Sequence, residues 1–403
     1  MKNVAIVAEY NPFHTGHAYH VRKIREEFGE DATVIALMSG TFVQRGDIAI
    51  ADKWVRAEAA VRGGVDLVLE LPFPYSVAGA EFYADAAVSL LLSVGGIDVL
   101  SFGSESGDLD TLTRIASRMQ TMEYKSALLS ALKEKCPSGY PETAEAVYRS
   151  LYPNDRTENF FRPNNILAAE YLKALSKRGA SVLPHTVKRE GADYASTTLT
   201  PGVHPSATAL RALLRADDPT ALEFMPRESV DVYRAAILRG ECPADAERLS
   251  PAILSFFRLN PTPTVSDIRD ATGGLYTRLA KKSREATGIT SLASLSETKK
   301  YTNARIRRAM WFSFFGVTSS EVSKAPAYTQ VLALNGRGQS FLKNAKRKAD
   351  IPILTKPSDI DALPPEAIPG KRRADAADEV AELAMPKPRA ATALLRHTPF
   401  VLK

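Results

Sequence analysis

Three of the six histidines in this sequence lie within AEYNPFHTGHAYH, residues 8–20. His14, His17 and His20 follow a short apolar run and precede a segment with helical periodicity, so they lie where a strand leads into a helix. The first N–H groups of a helix lack partners within the helix, and the helix dipole favours negative charge at that end. The position of the histidines therefore predicts an anion site, such as one for phosphate.

The same spacing would also suit a metal ion, because residues at i, i+3 and i+6 stay close together on a helix. A zinc site needs three or four ligands, and no HExxH motif or pair of CxxC motifs completes the set. We therefore expect no metal held by protein side chains. A third interpretation, in which the histidines only cap or pack the helix, stays open at this stage.

The tetrapeptide His14-Thr15-Gly16-His17 contains the groups that a nucleotide phosphate requires. Gly16 removes a side chain where phosphate must approach the backbone. The two imidazoles can donate hydrogen bonds to charge that develops on the α-phosphate. These residues therefore favour a nucleotide site over a metal site.

A second candidate phosphate site is PSATALR, residues 205–211. Ser206 and Thr208 place hydroxyls at the start of a predicted helix, and Arg211 follows about one turn later. Such caps occur on most helices, so PSATALR is informative only in combination with HTGH. The chain contains no Walker P-loop and no complete GxGxxG, so the two commonest other nucleotide motifs lack support.

The elements that position these residues follow from the hydrophobic periodicity of the first part of the chain. The apolar runs VAIVA, TVIALM, DLVLEL and IDVLSFG alternate with helical segments near 17–28, 52–62 and 79–94. This alternation predicts an α/β fold with a parallel sheet and helices on both faces. Ligands of such sheets bind beyond the carboxyl ends of the strands, where HTGH, FGSES and SGTFVQRGD lie. The last of these loops adds the candidates Gln44, Arg45 and Asp47.

The character of the sequence changes twice beyond this region. Helical segments dominate to about residue 180, and after about residue 216 the helices are separated by proline-bearing joints. Near the C-terminus the strands VLALN and IPILT flank the helix FLKNAKRKAD. We predict a catalytic domain at 1–216, a basic helical domain at 217–325 and a small α+β appendage at 326–403.

Composition and charge narrow the class of protein. The 403 residues carry a formal net charge of +6, which suits a polyanionic partner without requiring one. Cys136 and Cys242 lie far apart in sequence, which argues against a disulfide framework and predicts packing roles. No apolar run approaches the roughly 18 to 20 residues that cross a bilayer, and the N-terminus enters a strand pattern directly, so we expect a cytoplasmic protein.

A dense basic run in the helical region is the candidate RNA contact. Its members are Lys299, Lys300, Arg305, Arg307 and Arg308, and shortly before them come Lys281, Lys282 and Arg284. Phosphate neutralisation by such a patch would give salt-dependent affinity for RNA. The alternative is a solvated helix face, which is common for charge runs.

Several motifs resemble known families. HTGH after a strand resembles the HxGH signature of the nucleotidylyltransferase superfamily, and SATALR resembles that superfamily's ST-x-x-R motif. A longer ordered series resembles the tRNA(Met) cytidine acetate ligase family: EYNPFHTGHAYH, MSGTFVQRGDIAIADKWVRAEAA, GVDLVLELP, FGSES, RPNNILAAEYLKAL, VKREGADY, SATALR and KKYTNARIRR. The similarity runs from residue 1 to about 310, and VLALNGRGQSFL extends it to about 355. It implies a Rossmann-like catalytic domain of the HxGH type.

The resemblance implies an enzyme that makes acetyl-adenylate and pyrophosphate from acetate and ATP and then acetylates N4 of the wobble cytidine in elongator tRNA(Met). ATP with Mg²⁺ as its companion, acetate and the tRNA are the implied ligands, with no obligate protein partner. His14, His17 and Arg189 become the catalytic candidates, and the basic run becomes the candidate tRNA contact. We expect His20 at the edge of the nucleotide site or packed behind it.

The ATP contacts that the resemblance implies are Val7, Ala8, Glu9, Tyr10, Asn11, Pro12, Phe13, His14, Thr15, Gly16, His17, Ala18, Tyr19, His20, Gly103, Asn165 and Arg189. The PSATALR motif adds Ser206 and Thr208, and Asn164 and Lys188 are neighbours that can share the role. Two other functions stay open. A nucleotidylyltransferase for a small phosphorylated substrate would keep HTGH and SATALR without using the basic region. A noncatalytic RNA-binding protein would keep the fold without turnover.

Overall fold

The computed structural model describes residues 1–133, 140–155, 160–190 and 205–403. The strands are β1 Asn3–Ala8, β2 Thr33–Ser39, β3 Phe42–Val43, β4 Asp47–Ile48, β5 Leu67–Leu71, β6 Val99–Ser104, β7 Leu183–Lys188, β8 Thr329–Leu334, β9 Ile353–Leu354 and β10 Phe400–Val401. The α-helices before β7 are α1 Thr15–Phe28, α2 Lys53–Arg62, α3 Ala80–Val94, α4 Leu109–Arg118, α5 Met122–Lys133, α6 Tyr140–Leu151 and α7 Pro163–Lys177.

The α-helices after β7 are α8 Ala207–Arg215, α9 Thr220–Glu223, α10 Arg227–Arg239, α11 Ser250–Leu259, α12 Leu275–Lys282, α13 Ile289–Ser296, α14 Asn303–Phe315, α15 Ser319–Val322, α16 Gly336–Ala345, α17 Ile368–Glu382 and α18 Ala391–Leu394. Short 3-10 helices occupy Tyr75–Val77, Ala246–Leu249 and Pro357–Ala362. No helix within the described ranges is long and apolar enough to span a membrane.

The central sheet has the strand order β10-β8-β5-β2-β1-β6-β7, and β9 pairs with β8. β1 runs parallel to both β2 and β6, with Val4 opposite Val34 on one side and Val99 on the other. This pairing brings the carboxyl ends of β1, β2 and β6 to one edge of the sheet. The predicted α/β fold with a mostly parallel sheet is confirmed, and β8 differs by running antiparallel to β5.

Alternate residues of each central strand enter two different cores. Ala5 and Ile35 pack with α3 and α7 on one face of the sheet. Val4 and Val34 pack with α1, α2, α8 and α10 on the other face. Strands buried on both faces are typical of a parallel sheet between two helical layers, which explains their continuous apolar sequences.

The helical region that follows β7 is anchored beside the hairpin β3–β4. The indole Nε1–H of Trp311 in α14 donates to the carbonyl of Gly46, at 2.8 Å. The Trp311 ring also meets the edge of Phe42, with centroids 4.9 Å apart. Gly46 has a φ of +78°, and a Cβ there would lie 2.6 Å from the backbone nitrogen of Arg308. A glycine at this position therefore lets α14 dock closely on the hairpin.

The C-terminal region completes the central sheet. β8 lies between β5 and β10, and the Thr329 hydroxyl donates to the carbonyl of Glu70, at 2.8 Å. Residues beyond 216 also share the catalytic core, because the Ser229 hydroxyl of α10 donates to the carbonyl of Ala59 in α2, at 2.8 Å. The domain boundaries at 216 and 325 stay predictions, with packed contacts crossing both.

Two features of the sequence involve residues outside those that the structure describes. Cys136 is outside the described ranges, and so is the VKREGADY motif from residue 191 onward. Cys242 is buried, and this burial raises the pKa of its thiol to about 12. An inert, packed thiol is what its isolated position in the sequence predicts.

Candidate active site

A cleft of about 230 Å³ opens at the carboxyl edge of the sheet, between the ends of β1, β6 and β7 and the start of α8. It brings together many of the predicted ATP residues. Those that line it are Val7, Ala8, Glu9, Tyr10, Asn11, His14, Gly16, His17, Tyr19, His20, Gly103, Arg189 and Ser206. The neighbours Asn164, Lys188, Gln44 and Arg45 line it as well.

The HTGH motif forms the N-terminal cap of α1. The Nδ1 atom of His14 accepts the N–H of Gly16, at 3.0 Å, and the Nδ1 atom of His17 accepts the N–H of His14, at 3.2 Å. A neutral imidazole that accepts through Nδ1 carries its proton on Nε2. The backbone therefore fixes both tautomers, and each ring offers one Nε2–H donor.

The environment of His17 keeps this ring neutral. Burial lowers its pKa well below the usual value, and the nearby His14, Arg189 and His20 lower it further. The two rings lie 4.0 Å apart between centroids. Two neutral donors side by side can bind developing phosphate charge without a proton leaving either ring.

His20 lies on the cleft wall and is connected through Ser101 to His185. Its Nε2 atom is 2.8 Å from the hydroxyl of Ser101 in β6, which is 2.9 Å from Nδ1 of His185 in β7. Burial lowers the pKa of His20 to about 3, with further lowering by His185 and Arg189. His20 is therefore a neutral group that joins α1 to the sheet.

Gly103 and Arg189 meet across the pair β6–β7. A Cβ at Gly103 would lie 3.3 Å from Cγ of Arg189, so the missing side chain leaves room for the arginine stem. The N–H of Arg189 donates to the carbonyl of Ser104, at 2.9 Å, which extends the strand pairing by one residue. The arrangement places a cation on the wall of the cleft that the HTGH cap also lines.

Asn165 shapes the loop after β6 instead of lining the cleft. Its side-chain oxygen accepts the N–H groups of Glu105 and Ser106, at 2.9 and 3.3 Å. The Glu105 carboxylate in turn accepts the N–H groups of Asn164 and Asn165 at the start of α7. The predicted ATP contact at Asn165 stays a prediction, and its neighbour Asn164 lines the cleft.

The second motif joins the first through Arg211. Ser206 caps α8 by accepting the N–H of Ala209, at 3.0 Å. The Arg211 guanidinium donates to the carbonyl of Asn11, at 2.9 Å, and to the hydroxyl of Thr208, at 3.1 Å. SATALR thus holds the NPFH turn in place, and Thr208 lies behind the cleft wall.

Four other predicted ATP residues stand behind the cleft: Pro12, Phe13, Thr15 and Ala18. Phe13 is fully buried. Its N–H donates to the Tyr233 hydroxyl of α10, at 3.0 Å. The N–H of Thr15 donates to the carbonyl of Phe224, at 2.9 Å. These residues position the HTGH cap, and a direct contact with ATP stays a prediction for each of them.

Comparison with known proteins agrees with this geometry. A family model described as HIGH Nucleotidyl Transferase matches residues 1–389. A tRNA(Met) cytidine acetate ligase from Thermoanaerobacter sp. is 37% identical over 361 residues, which cover 88% of each protein. This chain belongs to the tRNA(Met) cytidine acetate ligase family. Crystal structures of Thermotoga maritima TmcAL, apo and bound with alpha-thio ATP, match 100% of both chains at 31% identity, with TM-scores of 0.92 and 0.90.

One residue that organises the ends of β1 and β2 was not among the predicted site residues. Arg56 in α2 is fully buried, and its guanidinium donates to the carbonyls of Glu9 and Gly40, both at 2.5 Å. It also donates to the carbonyls of Ser39 and Ala51, both at 3.1 Å. Arg56 therefore clamps the carboxyl ends of β1 and β2. Its signal in the sequence was an arginine directly before AEAA, whose alanines are buried.

Aromatic residues of the cleft were also missed. Tyr83, Phe102 and Tyr171 line it, and each is almost completely buried. The Tyr83 hydroxyl is 3.2 Å from the hydroxyl of Ser39 at the end of β2. These side chains come from α3, β6 and α7, so no local sequence pattern connects them.

The predicted basic run divides into two groups. Arg307 donates to Asp47, at 3.1 Å, and Arg308 to Asp270, at 2.5 Å, while Arg305 donates to the carbonyl of Asp270, at 3.1 Å. These three arginines therefore hold α14 in place. Lys299 and Lys300 are exposed, although Lys300 also donates to the carbonyl of Gly273, at 3.2 Å.

The histidines of the HTGH cap are not part of a metal-binding cluster in the part of the chain that the structure describes. No group of three or more His, Cys, Asp or Glu side chains there is arranged to hold a metal ion. In the HTGH cap, the Nδ1 atoms of both histidines already accept backbone N–H groups. The histidine cluster is thus built as a helix cap.

Proposed function

We propose that this protein is an ATP-dependent acetate ligase. It forms acetyl-adenylate and pyrophosphate from acetate and ATP, and it transfers the acetyl group to N4 of the wobble cytidine of elongator tRNA(Met), giving N4-acetylcytidine. The observation that carries the proposal is the HTGH cap, in which two imidazoles that accept backbone N–H groups through Nδ1 line a cleft at the carboxyl edge of the sheet. Membership of the tRNA(Met) cytidine acetate ligase family supports the substrates.

In the first step, an acetate oxygen attacks the α-phosphorus of ATP and forms a new P–O bond while pyrophosphate leaves with the electron pair of the broken bond. Charge increases on the oxygens of the α-phosphate during this displacement. His14, His17 and Arg189 line the same cleft, and the imidazole donors and the guanidinium can take up this charge. Arg211 already binds Asn11 and Thr208, so we assign it to positioning.

Mg²⁺ is proposed as the companion of ATP, where it neutralises phosphate charge. This ion keeps several waters and binds mainly through phosphate oxygens. The described residues contain no metal-holding cluster, which suits an ion delivered with the nucleotide.

The tRNA is proposed to approach from the helical region. α14 docks on Gly46, and the preceding residue, Arg45, lines the cleft, so the helical region lies next to the reaction site. The exposed cations Lys281, Arg284, Lys299 and Lys300 are proposed phosphate contacts. We retain 1–216 as the catalytic region, 217–325 as the tRNA-binding region and 326–403 as the C-terminal region, and we place the reaction in the cytoplasm, where tRNA is found.

The test is acetylation of elongator tRNA(Met) by the purified protein with ATP and labelled acetate. We expect label on the wobble cytidine without acetyl-CoA, and no label on a transcript that carries uridine at the wobble position. A strict requirement for acetyl-CoA would contradict the proposal. RNA binding without acetyl transfer from either donor would favour the noncatalytic RNA-binding alternative.

A further inference from the structure

The cleft has two chemically different sides. The side formed by β6 and β7 carries Gly103, Lys188 and Arg189, which suit a polyphosphate. The side towards β2 carries Glu9 and Gln44 beside Arg45. Glu190, at the end of the first side, lies beside two cations, whereas Glu9 shares its side with one, so Glu9 is better placed for the second substrate than for ATP.

Glu9 directly follows β1 and is held rigidly. Its carbonyl accepts the Arg56 guanidinium, and its Oε1 atom accepts the N–H of Gln44, at 3.0 Å. Among the residues that the structure describes, the other carboxylate oxygen has no hydrogen-bond partner. This half-buried oxygen can therefore accept a hydrogen bond from a ligand in the cleft.

Two tyrosines complete the surroundings of Glu9. Burial raises the pKa of the Tyr83 and Tyr171 hydroxyls, and the Glu9 carboxylate raises both pKa values further. Both hydroxyls therefore keep their protons and stay hydrogen-bond donors. The Tyr171 hydroxyl is buried and has no partner among the described residues, although polar groups in such positions are normally paired.

We propose that the Glu9 carboxylate binds the N4 amine of the wobble cytidine and accepts its proton during acetyl transfer. This inference rests on the proposed function. Carboxylates accept hydrogen bonds from cytosine N4, and the adjacent N3 atom of the same base is an acceptor that suits a tyrosine hydroxyl.

The transfer step balances with Glu9 as the base. The N4 lone pair attacks the carbonyl carbon of acetyl-adenylate and forms the C–N bond. The bond between that carbon and the bridging oxygen breaks, and AMP leaves with its electron pair. The N4 proton moves to the Glu9 carboxylate and then to water, which regenerates the base.

The same contact would select the base. Uridine presents a carbonyl oxygen where cytidine presents the N4 amine, and a carboxylate repels this acceptor. Glu9 would thus both reject uridine at the wobble position and assist the reaction of cytidine.

The experiment compares the two half-reactions in Glu9→Gln. Glutamine keeps an oxygen that can accept the Gln44 N–H but cannot act as a base. Acetyl-adenylate formation, measured as acetohydroxamate with hydroxylamine, should stay within about threefold of wild type. Single-turnover acetyl transfer to tRNA should fall by about 100-fold, which is the scale of general base catalysis. The matched control is Glu190→Gln, because Glu190 is, among the residues that the structure describes, the other carboxylate that lines this cleft, and it should affect transfer much less.

Two results would overturn the assignment. A wild-type transfer rate in Glu9→Gln would show that no base is needed at this position. A parallel loss of hydroxamate formation, or a raised KM for ATP, would place Glu9 in the nucleotide site, where it could bind the adenine amine. Failure of the proposed function itself would be distinct, because the wild-type protein would then acetylate no tRNA from acetate.

Discussion

The two imidazoles of the HTGH cap are hydrogen-bond donors to the α-phosphate in this account. His17→Ala should lower acetate-dependent ATP–pyrophosphate exchange by about 100-fold or more, which is the usual loss when one donor to a developing charge is removed. His17→Gln serves as the control for folding, because glutamine at this position of a helix can also accept the cap N–H. Exchange at the wild-type rate in both variants would remove His17 from catalysis.

The buried state of His20 makes stability depend on pH. Its pKa is lowered from 6.5 to about 3 in the folded protein, so between these values the unfolded chain binds a proton that the folded chain does not. The free energy of unfolding therefore falls with decreasing pH by about 1.4 kcal/mol per pH unit, or about 2 kcal/mol from pH 6.5 to pH 5. The free energy of unfolding, measured with urea at several pH values, should change less per pH unit in His20→Gln than in the wild type. Identical slopes for the two proteins would contradict the assignment.

At the level of elements, the docking of α14 on the β3–β4 hairpin depends on Gly46. An alanine there combines a φ of +78° with a Cβ that would lie 2.6 Å from the backbone of Arg308. Gly46→Ala should lower the free energy of unfolding by about 2 kcal/mol. Gly370→Ala in α17 is the control, because a Cβ there meets no atom within 4 Å. Equal stability of the two variants would show that the close approach is not required.

The basic run should bind tRNA through its lysines. Lys299→Ala combined with Lys300→Ala should raise the KM for tRNA. The slope of the logarithm of the binding constant against the logarithm of the salt concentration should become shallower by about two, since each lost phosphate contact removes about one. ATP–pyrophosphate exchange should be unchanged. Arg308→Ala should instead lower stability by about 2 kcal/mol, because it removes the closer of the two arginines that pair with the largely buried side chain of Asp270. Unchanged tRNA affinity in the lysine variant would locate the RNA contact elsewhere.

Local sequence signals predicted some of these elements and not others. β1, β2, β5 and β6 have continuous apolar runs, and α1 begins at a recognisable cap, so their places followed from periodicity. The partners of a guanidinium do not follow from periodicity. Arg56 binds four carbonyls from three segments, and Arg307 pairs with Asp47, 260 positions earlier. The RNA contact predicted for the arginines of α14 stays a prediction, and their partners within the protein could not be read from the sequence.

At the level of the whole molecule, the C-terminal region is bound to the central sheet and to α2. In addition to its strands in the sheet, α17 pairs Asp378 with Lys53, at 2.6 Å, and Lys53 pairs with Glu70 in β5, at 2.8 Å. Arg389 binds the N-cap Asp52 of α2, at 2.5 Å. Asp378 and Arg389 lie more than 300 residues from their partners Lys53 and Asp52, so the sequence indicated a separate small appendage and could not indicate that it joins the sheet.

The most direct test of the central claim follows the oxygen atoms of acetate through the complete reaction. Acetate labelled with ¹⁸O at both oxygens is incubated with ATP, elongator tRNA(Met) and the protein, and the AMP product is analysed by mass spectrometry. Because acetate attacks the α-phosphorus and N4 later displaces AMP from the carbonyl carbon, each AMP should carry one ¹⁸O atom. Unlabelled AMP, or label in pyrophosphate or phosphate, would contradict an acetyl-adenylate intermediate.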